Sequence, residues 1–426
     1  MKSKLSKNLI NIAKEFNKHD GSLYVVGGYV RNFLLGYAQS DIDICGNLKQ
    51  DKVQEISKKL GFDCKVVNKK LGTLLIIADD EQFEYTTFRS ENYPKSGAHN
   101  PSDVVFVNEI TVDAKRRDFT VNAIYYDVLN DKLMDFYNGV KDVNKRLIKC
   151  IETPEFVFSA DGLRLLRMVR FASELGFKIH GSTLKTAKQN GFMLKDVSPE
   201  RITKEIKDIL VAETKYGINK TCGINLINKL NFFKYIFHLN YDFKIKTRHI
   251  SYKQFKKSNS EIRFVVFLIL VLLNYFSFKS VNYNNLVFTI NRLFGNSGIR
   301  CGEDLNSLTK IYLVIQSYLM GEKNIFLFAN YHNLNVVERE VVNVFCDKGF
   351  LSQGVLNCKL KNIPLNEKML NITNADLLES VQKQNISSIK KVLLQMCMNG
   401  ELENTTEKLL KVAKTLDHDI INNKNK

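Results

Sequence analysis

The chain has 426 residues, enough for two to four compact units at roughly 100–200 residues each. A composition of 44% apolar and 25% charged residues excludes wholesale disorder. Lys and Arg number 62 against 45 Asp and Glu, and the net charge of +17 suits a polyanionic partner.

In chain order, the first half alternates helical patterns with short β-branched runs. Leu5–Lys18 and Asp51–Lys59 carry helical spacing, while Leu23–Val26, Leu74–Ile77, Phe83–Thr87 and Val104–Val107 read as strands. From about Thr153 onward apolar residues recur three and four apart, so an all-α extension follows an α/β head. The most apolar run, Phe264–Phe278, is shorter than the ~18–20 residues a membrane span needs and reads as a buried helix. The first residues, Met1–Lys7, lack the apolar core of a signal peptide, so a cytoplasmic protein with no membrane association is expected. Asn422–Lys426 reads as a frayed tail.

Eight scattered cysteines include no Cys-x-x-Cys pair, which implies neither a zinc site nor a disulfide framework. His19-Asp20 and His418-Asp419 lack further spaced ligands, and no His-ligated metal is expected. Charge is unevenly spread. Residues 1–150 hold 23 basic and 20 acidic side chains, whereas residues 201–300 hold 17 and 5. That division suggests chemistry in the head and polyanion grip in the helical part, although a lysine-rich solvated surface gives the same count.

The head carries the chemical signal. Tyr24-Val-Val-Gly-Gly-Tyr-Val-Arg31 reads as a strand entering a Gly27-Gly28 turn, with a short helix beginning near Tyr29. Such a turn lets backbone N–H groups approach phosphate oxygens, and Arg31 offers a fixed fork for the same oxygens. A plain turn explains Gly-Gly-x-x-Arg as easily. Asp41 and Asp43 then alternate with Ile42 and Ile44, so both carboxylates project from one strand face. Two close carboxylates repel unless a cation neutralises them, and hard oxygen donors suit Mg²⁺. Glu84, on another strand, offers a third oxygen ligand.

These motifs make the sequence recognisable. Gly27-Gly-Tyr-Val-Arg31 with Asp41-Ile-Asp43 resembles the signature of the nucleotidyltransferase superfamily that includes DNA polymerase beta. Arg116-Arg-Asp-Phe-Thr-Val-Asn-Ala123 resembles the second motif of its class II tRNA nucleotidyltransferase branch, the CCA-adding enzymes and bacterial poly(A) polymerases. Asp135–Asp142, Asp161–Ala172 with Leu175-Gly-Phe177, and Ser198–Ile206 follow in the order of that branch, so the resemblance covers about residues 20–210.

The resemblance implies an α+β protein: a polymerase-beta-like head, a small mixed sheet with helices, followed by an all-α neck, body and tail. The corresponding boundaries are 1–147, 148–215, 216–330 and 331–426. It implies transfer of C, C and A to the tRNA 3′ end from CTP and ATP. Asp41, Asp43 and Glu84 would be the metal ligands, and Gly28, Arg31, Arg117 and Asp118 would contact the nucleotide, Asp118 near the ribose 2′-hydroxyl. Asp161 and Arg164 would read the base edge, the carboxylate accepting from the exocyclic amine shared by C and A. Asp161, Arg164, Arg167 and Arg170 recur every three residues and form a row along one predicted helix. Read without the resemblance, Arg116-Arg117 is a surface basic pair, Asp118 a helix N-cap, and the row an ion-paired helix.

Two positions depart from the family pattern: Asn32 stands where the first motif usually has Asp, and Ala160 where the template motif usually has Glu. The segment Arg89–Lys115, with Pro94, Gly97 and Pro101, resembles the family's mobile loop, or is a plain connection. Lys70-Leu-Gly-Thr-Leu-Leu75 resembles CCA-adding enzymes more than poly(A) polymerases. Poly(A) addition, addition of CC or A alone, and an RNA-binding protein with an inactive head are the rival readings.

Overall fold

Leu23–Val26 forms β1 because its apolar side chains are buried on both sheet faces, Val25 completely. The computed structural model describes residues 1, 3, 5–38, 41–92, 103–217, 222–299 and 305–424. The chain divides into two compact units, Met1–Lys244 with Leu293–Arg300, and Ile245–Arg292 with Cys301–Lys426.

The first unit opens with α1 (Lys7–Asn17), capped by the Ser6 hydroxyl, which accepts from Leu9 N at 3.2 Å. After β1 come α2 (Gly28–Leu35), β2 (Ile42–Gly46), α3 (Gln50–Lys59), β3 (Asp63–Asn68), β4 (Thr73–Ala78) and β5 (Glu81–Thr87). Next are β6 (Arg89–Asn92), β7 (Asp103–Phe106), α4 (Ile110–Lys115), β8 (Ile124–Asp127), β9 (Lys132–Asp135), α5 (Gly139–Asn144) and β10 (Leu147–Ile148). Seven strands form one mixed sheet in the order β3-β4-β5-β2-β1-β8-β9. Only β2 and β5 run parallel within it. Leu9, Ile12 and Phe16 of α1 are buried together with Phe83 and Tyr85 of β5, and the Phe16 and Tyr85 rings meet edge to face at 5.6 Å.

The head thus follows the sequence reading, with differences at particular elements. The expected strands at 23–26, 74–77 and 83–87 are present, whereas β3, β8 and β9 carry too little alternation to stand out. Within Arg89–Lys115 the described residues include a strand pair and a helix: β6 pairs with β7, from Arg89 opposite Phe106 to Asn92 opposite Asp103, and α4 follows. Pro94, Gly97 and Pro101 lie outside the described residues.

Helices α6 (Pro154–Ala160) and α7 (Arg164–Leu175) come next, then β11 (Lys178–Ile179), α8 (Gly181–Gln189), α9 (Pro199–Lys215), α10 (Gly223–Leu230) and α11 (Phe232–Ile236). Leu165, Leu166, Met168, Val169, Ala172 and Leu175 bury one side of α7 against α9, and Gly176, at φ 63°, ends the helix in the left-handed region. The predicted continuous row from Asp161 is corrected here. Asp161 sits in the break between α6 and α7 with extended backbone (φ −156°), and only the three arginines ride on α7. Gly162 sits in the same break, where a Cβ would lie 2.6 Å from the Met193 carbonyl oxygen.

The regular elements of the second unit are all helices among its described residues. Helix Ser260–Tyr275 is the apolar run of the sequence, buried without interruption from Ile262 to Leu273 and capped by Asn259. Capping boxes start helices Val336–Phe345 (Asn335 with Glu338) and Asn374–Leu378 (Thr373 with Asp376). Leu377, Ile389, Leu393, Leu409 and Ala413 form a separate core cluster towards the chain end. Among the described residues, no helix is long and apolar enough to cross a membrane.

Candidate active site

β1 delivers the chain into Gly27, whose backbone (φ 77°, ψ −132°) is closed to residues with a side chain. The next residue begins α2. Val26 pairs with Asp43 across the antiparallel β1–β2 ladder, which brings Asp43 beside the turn. A Cβ on Gly27 would sit 3.6 Å from Asp43 Oδ2. Carboxylate and glycine turn therefore face one space. Asp41 precedes β2 by one residue and lines the same space.

Glu84 stands directly opposite Asp43 in the parallel β2–β5 register. Desolvation, then repulsion from Glu84 and Asp41, pushes the Asp43 carboxyl up to about 6, against the pull of Arg117 and Arg167. A bound cation would relieve that strain. Among the described residues, no three His, Cys, Asp or Glu converge closely enough to hold a metal ion, so Asp41, Asp43 and Glu84 do not close into a three-carboxylate site. An open set of carboxylates fits Mg²⁺, which keeps waters and takes substrate phosphates as its remaining ligands.

Arg31, buried in α2, donates to Asn122 Oδ1 at 2.6 Å and to Asn32 Oδ1 at 3.0 Å, and its Nη2 lies 3.9 Å from Glu174. Arg116 and Arg117 are not a surface pair. Asp113, fully buried in α4, binds Arg116 at 2.6 Å and Arg117 at 3.1 Å and accepts from the Tyr125 hydroxyl at 2.8 Å. Arg117 Nε also donates to Tyr125 Oη at 2.7 Å. Burial alone would raise the Asp113 carboxyl, but the two guanidiniums hold it at about 2. Asp118 is similar: burial opposes its charge, and Arg167 and Arg164 hold it at about 2. Arg167 grips Asp118 Oδ2 with Nε and Nη2, both at 2.8 Å.

The predicted base-reading pair is held by groups outside itself. Arg201 of α9 binds both oxygens of Asp161, at 2.6 and 3.3 Å. Arg164 donates to the carbonyls of Val157 (3.2 Å) and Arg116 (2.7 Å), the second reaching into the head. Arg170 pairs with Glu205 and lies 3.6 Å from Glu174.

Most of the predicted site residues border one cleft of about 990 Å³ in the first unit. Gly28, Arg31, Asp41, Asp43, Arg117, Asp118, Asp161, Arg164, Arg167 and Arg170 line it; Glu84 does not. Nine arginine and lysine side chains face seven carboxylates there, an excess that favours an anionic ligand. Asn122, Glu174, Arg201, Lys215 and Tyr216 also line it and were not singled out from the sequence. Glu91 and Arg89 belong to the same wall, joined at 2.6 Å.

Residues 23–149 match the family model of the poly A polymerase head domain. The CCA-adding enzyme of Staphylococcus epidermidis is 34% identical over 225 residues, 52% of this chain and 54% of that protein. That of Staphylococcus haemolyticus is 27% identical over 416 residues, 95% of this chain and 96% of that protein. The stronger alignment thus spans about half the length of its relative. Among solved structures, the Bacillus stearothermophilus CCA-adding enzyme in complex with CTP superposes with a TM-score of 0.64 at 22% identity, covering 98% of both chains. The Thermotoga maritima CCA-adding enzyme complexed with tRNA gives 0.63 at 19% identity, covering 97% of both. These neighbours share the fold.

Proposed function

We propose that the chain, whose residues 23–149 match the poly A polymerase head domain and whose relatives include CCA-adding enzymes, is a metal-dependent nucleotidyltransferase that adds C, C and A to the 3′ end of tRNA. The substrates are CTP and ATP, no nucleic-acid template is used, and pyrophosphate is released. The reaction belongs to the cytoplasm, which the seven free cysteines among the described residues favour. One observation carries the reading: the glycine turn, Asp41, Asp43 and the arginine row, distant in sequence, line a single cleft.

The RNA 3′-hydroxyl attacks the α-phosphorus in line. Asp41 and Asp43, with Glu84 opposite Asp43 on the neighbouring strand, would hold divalent cations, Mg²⁺ by their hard oxygens, and such ions would lower the hydroxyl pKa and offset charge on the attacking and leaving oxygens. Backbone N–H groups of the Gly27-Gly28 turn and the guanidinium of Arg31 take the triphosphate. Asp118, kept ionised by Arg167, accepts from the ribose 2′-hydroxyl, and a deoxynucleotide leaves it unpaired. Asp161 accepts from the exocyclic amine of C or A, and Arg164 donates to the base edge. With Ala160 offering no carboxylate beside Asp161, Arg201 is the group that orients it. The basic stretch 201–300 grips tRNA phosphates.

The experiment supplies the purified protein with tRNAs lacking CCA, lacking CA, lacking only A, or complete, together with each NTP. Extension of the first to a finished CCA end is expected. Stopping after CC, starting only from CC, or long A tails would each select a rival activity. Asp41→Ala should abolish extension, and surviving activity would refute the metal-site assignment.

A further inference from the structure

Helix α9 ends at Lys215, and the residues at its end close one corner of the cleft. Asn32 of α2, wholly buried, decides what that corner presents. Its Oδ1 accepts from Nε and Nη2 of Arg31, at 3.3 and 3.0 Å. Its Nδ2 faces the other way, to the Ala38 carbonyl at 3.3 Å and the Tyr216 hydroxyl at 2.8 Å. A guanidinium only donates and a carbonyl only accepts, so a single amide orientation satisfies both neighbours. Both amide protons are thereby used, and Tyr216 Oη receives one of them. A phenol that accepts from its neighbour keeps its own proton to give elsewhere.

The surroundings say what would take that proton. The Tyr216 ring stacks on Tyr37 with centroids 4.9 Å apart, and Lys215 Nζ lies 5.6 Å from the Tyr216 centroid. Lys215 pairs with Glu174 at 3.0 Å, the same carboxylate that faces Arg31 and Arg170. With Glu205 also on Arg170, two buried carboxylates meet three cations. The corner is short of negative charge. It opens into the cleft that holds Gly27 and Asp43, where an α-phosphate must sit for transfer, so the corner is placed for the outer phosphates.

We propose that Tyr216 is a phosphate-binding residue: its hydroxyl, accepting from Asn32, donates to an outer phosphate oxygen of a bound nucleoside triphosphate, beside Arg31 and Lys215. The assignment rests on the nucleotidyl-transfer reading above. Asparagine at position 32 makes it work. An aspartate there would set a carboxylate oxygen against the Ala38 carbonyl, capture the tyrosine proton, and add negative charge to a corner suited to phosphate.

The test is equilibrium binding of CTP and CMP to the full chain, with inorganic tripolyphosphate as a base-free probe. Tyr216→Phe keeps the stacked ring and removes only the hydroxyl. It should weaken CTP and tripolyphosphate about tenfold, the worth of a hydrogen bond to a charged group, and leave CMP unchanged. Asn32→Asp should weaken the same two ligands, with Tyr216→Phe adding little on top of it. Unchanged CTP affinity in Tyr216→Phe, or equal weakening of CTP and CMP, overturns the assignment. If tripolyphosphate binding depends on the hydroxyl while no nucleotide is added to RNA, the functional reading fails and the phosphate contact stands.

Discussion

Asp43 and Glu84 face each other across the one parallel strand pair of the sheet, and their repulsion contributes to lifting the Asp43 carboxyl to about 6. The sign of the pH effect follows. Between about pH 4, the ordinary range of an aspartate, and pH 6, the unfolded chain has released a proton that the native carboxyl retains. Without divalent ions, native stability should therefore fall as pH rises through that window, and added Mg²⁺ should restore it most above pH 6. Thermal melts in chelator and in Mg²⁺ read this directly. In Asp43→Asn the dependence should vanish and nucleotide transfer fall by at least about a thousandfold. A Mg²⁺ response that survives the substitution would place the ion elsewhere.

Asp113 touches no expected substrate, yet it holds both Arg116 and Arg117. Asp113→Asn should cost about 3 kcal/mol, because two guanidiniums then stay in place without their buried counter-charge. Urea denaturation gives the value, and a loss below about 1 kcal/mol would show that the arginines find other partners.

The carboxyls of Asp113 and Asp118 are both depressed to about 2. Their stabilising contribution should be complete above about pH 4 and lost as pH falls towards 2. Acid titration of the wild type against Asp113→Asn should show the smaller loss in the variant.

Arg201 grips both oxygens of Asp161. Replacing it by lysine removes the two-point hold, and incorporation of U and G relative to C and A should rise about tenfold. Unaltered base choice in single-nucleotide addition assays would mean that Asp161 is oriented without it.

With 17 basic and 5 acidic residues between 201 and 300, tRNA affinity should drop steeply with salt. A nearly flat slope between about 50 and 200 mM salt would assign the grip to non-ionic contacts.

What could be read from the sequence was local. Gly27 announces a backbone shape that other residues cannot adopt, and the Asp41–Ile44 alternation announces a strand face. The partners that set the electrostatics were not readable, because they meet only through tertiary folding. Asn122 lies 91 residues from Arg31, and Tyr216 lies 184 from Asn32. The regular spacing of three places Asp161 on a helix, whereas Asp161 lies in a break whose local mark is the Asp-Gly pair at 161–162. Asp118 reads as a helix cap from its neighbours alone, yet its second oxygen is committed to Arg167, 49 residues away.

That last tie reaches beyond the two residues it joins. In the proposed reaction Asp118 serves the sugar; Arg167 lies on the helix that carries Arg164, and Arg164 in turn rests on the Arg116 carbonyl. The proposed reaction therefore ties turnover to accuracy: a change that loosens either end of this strut should slow nucleotide transfer and make it careless at the same time.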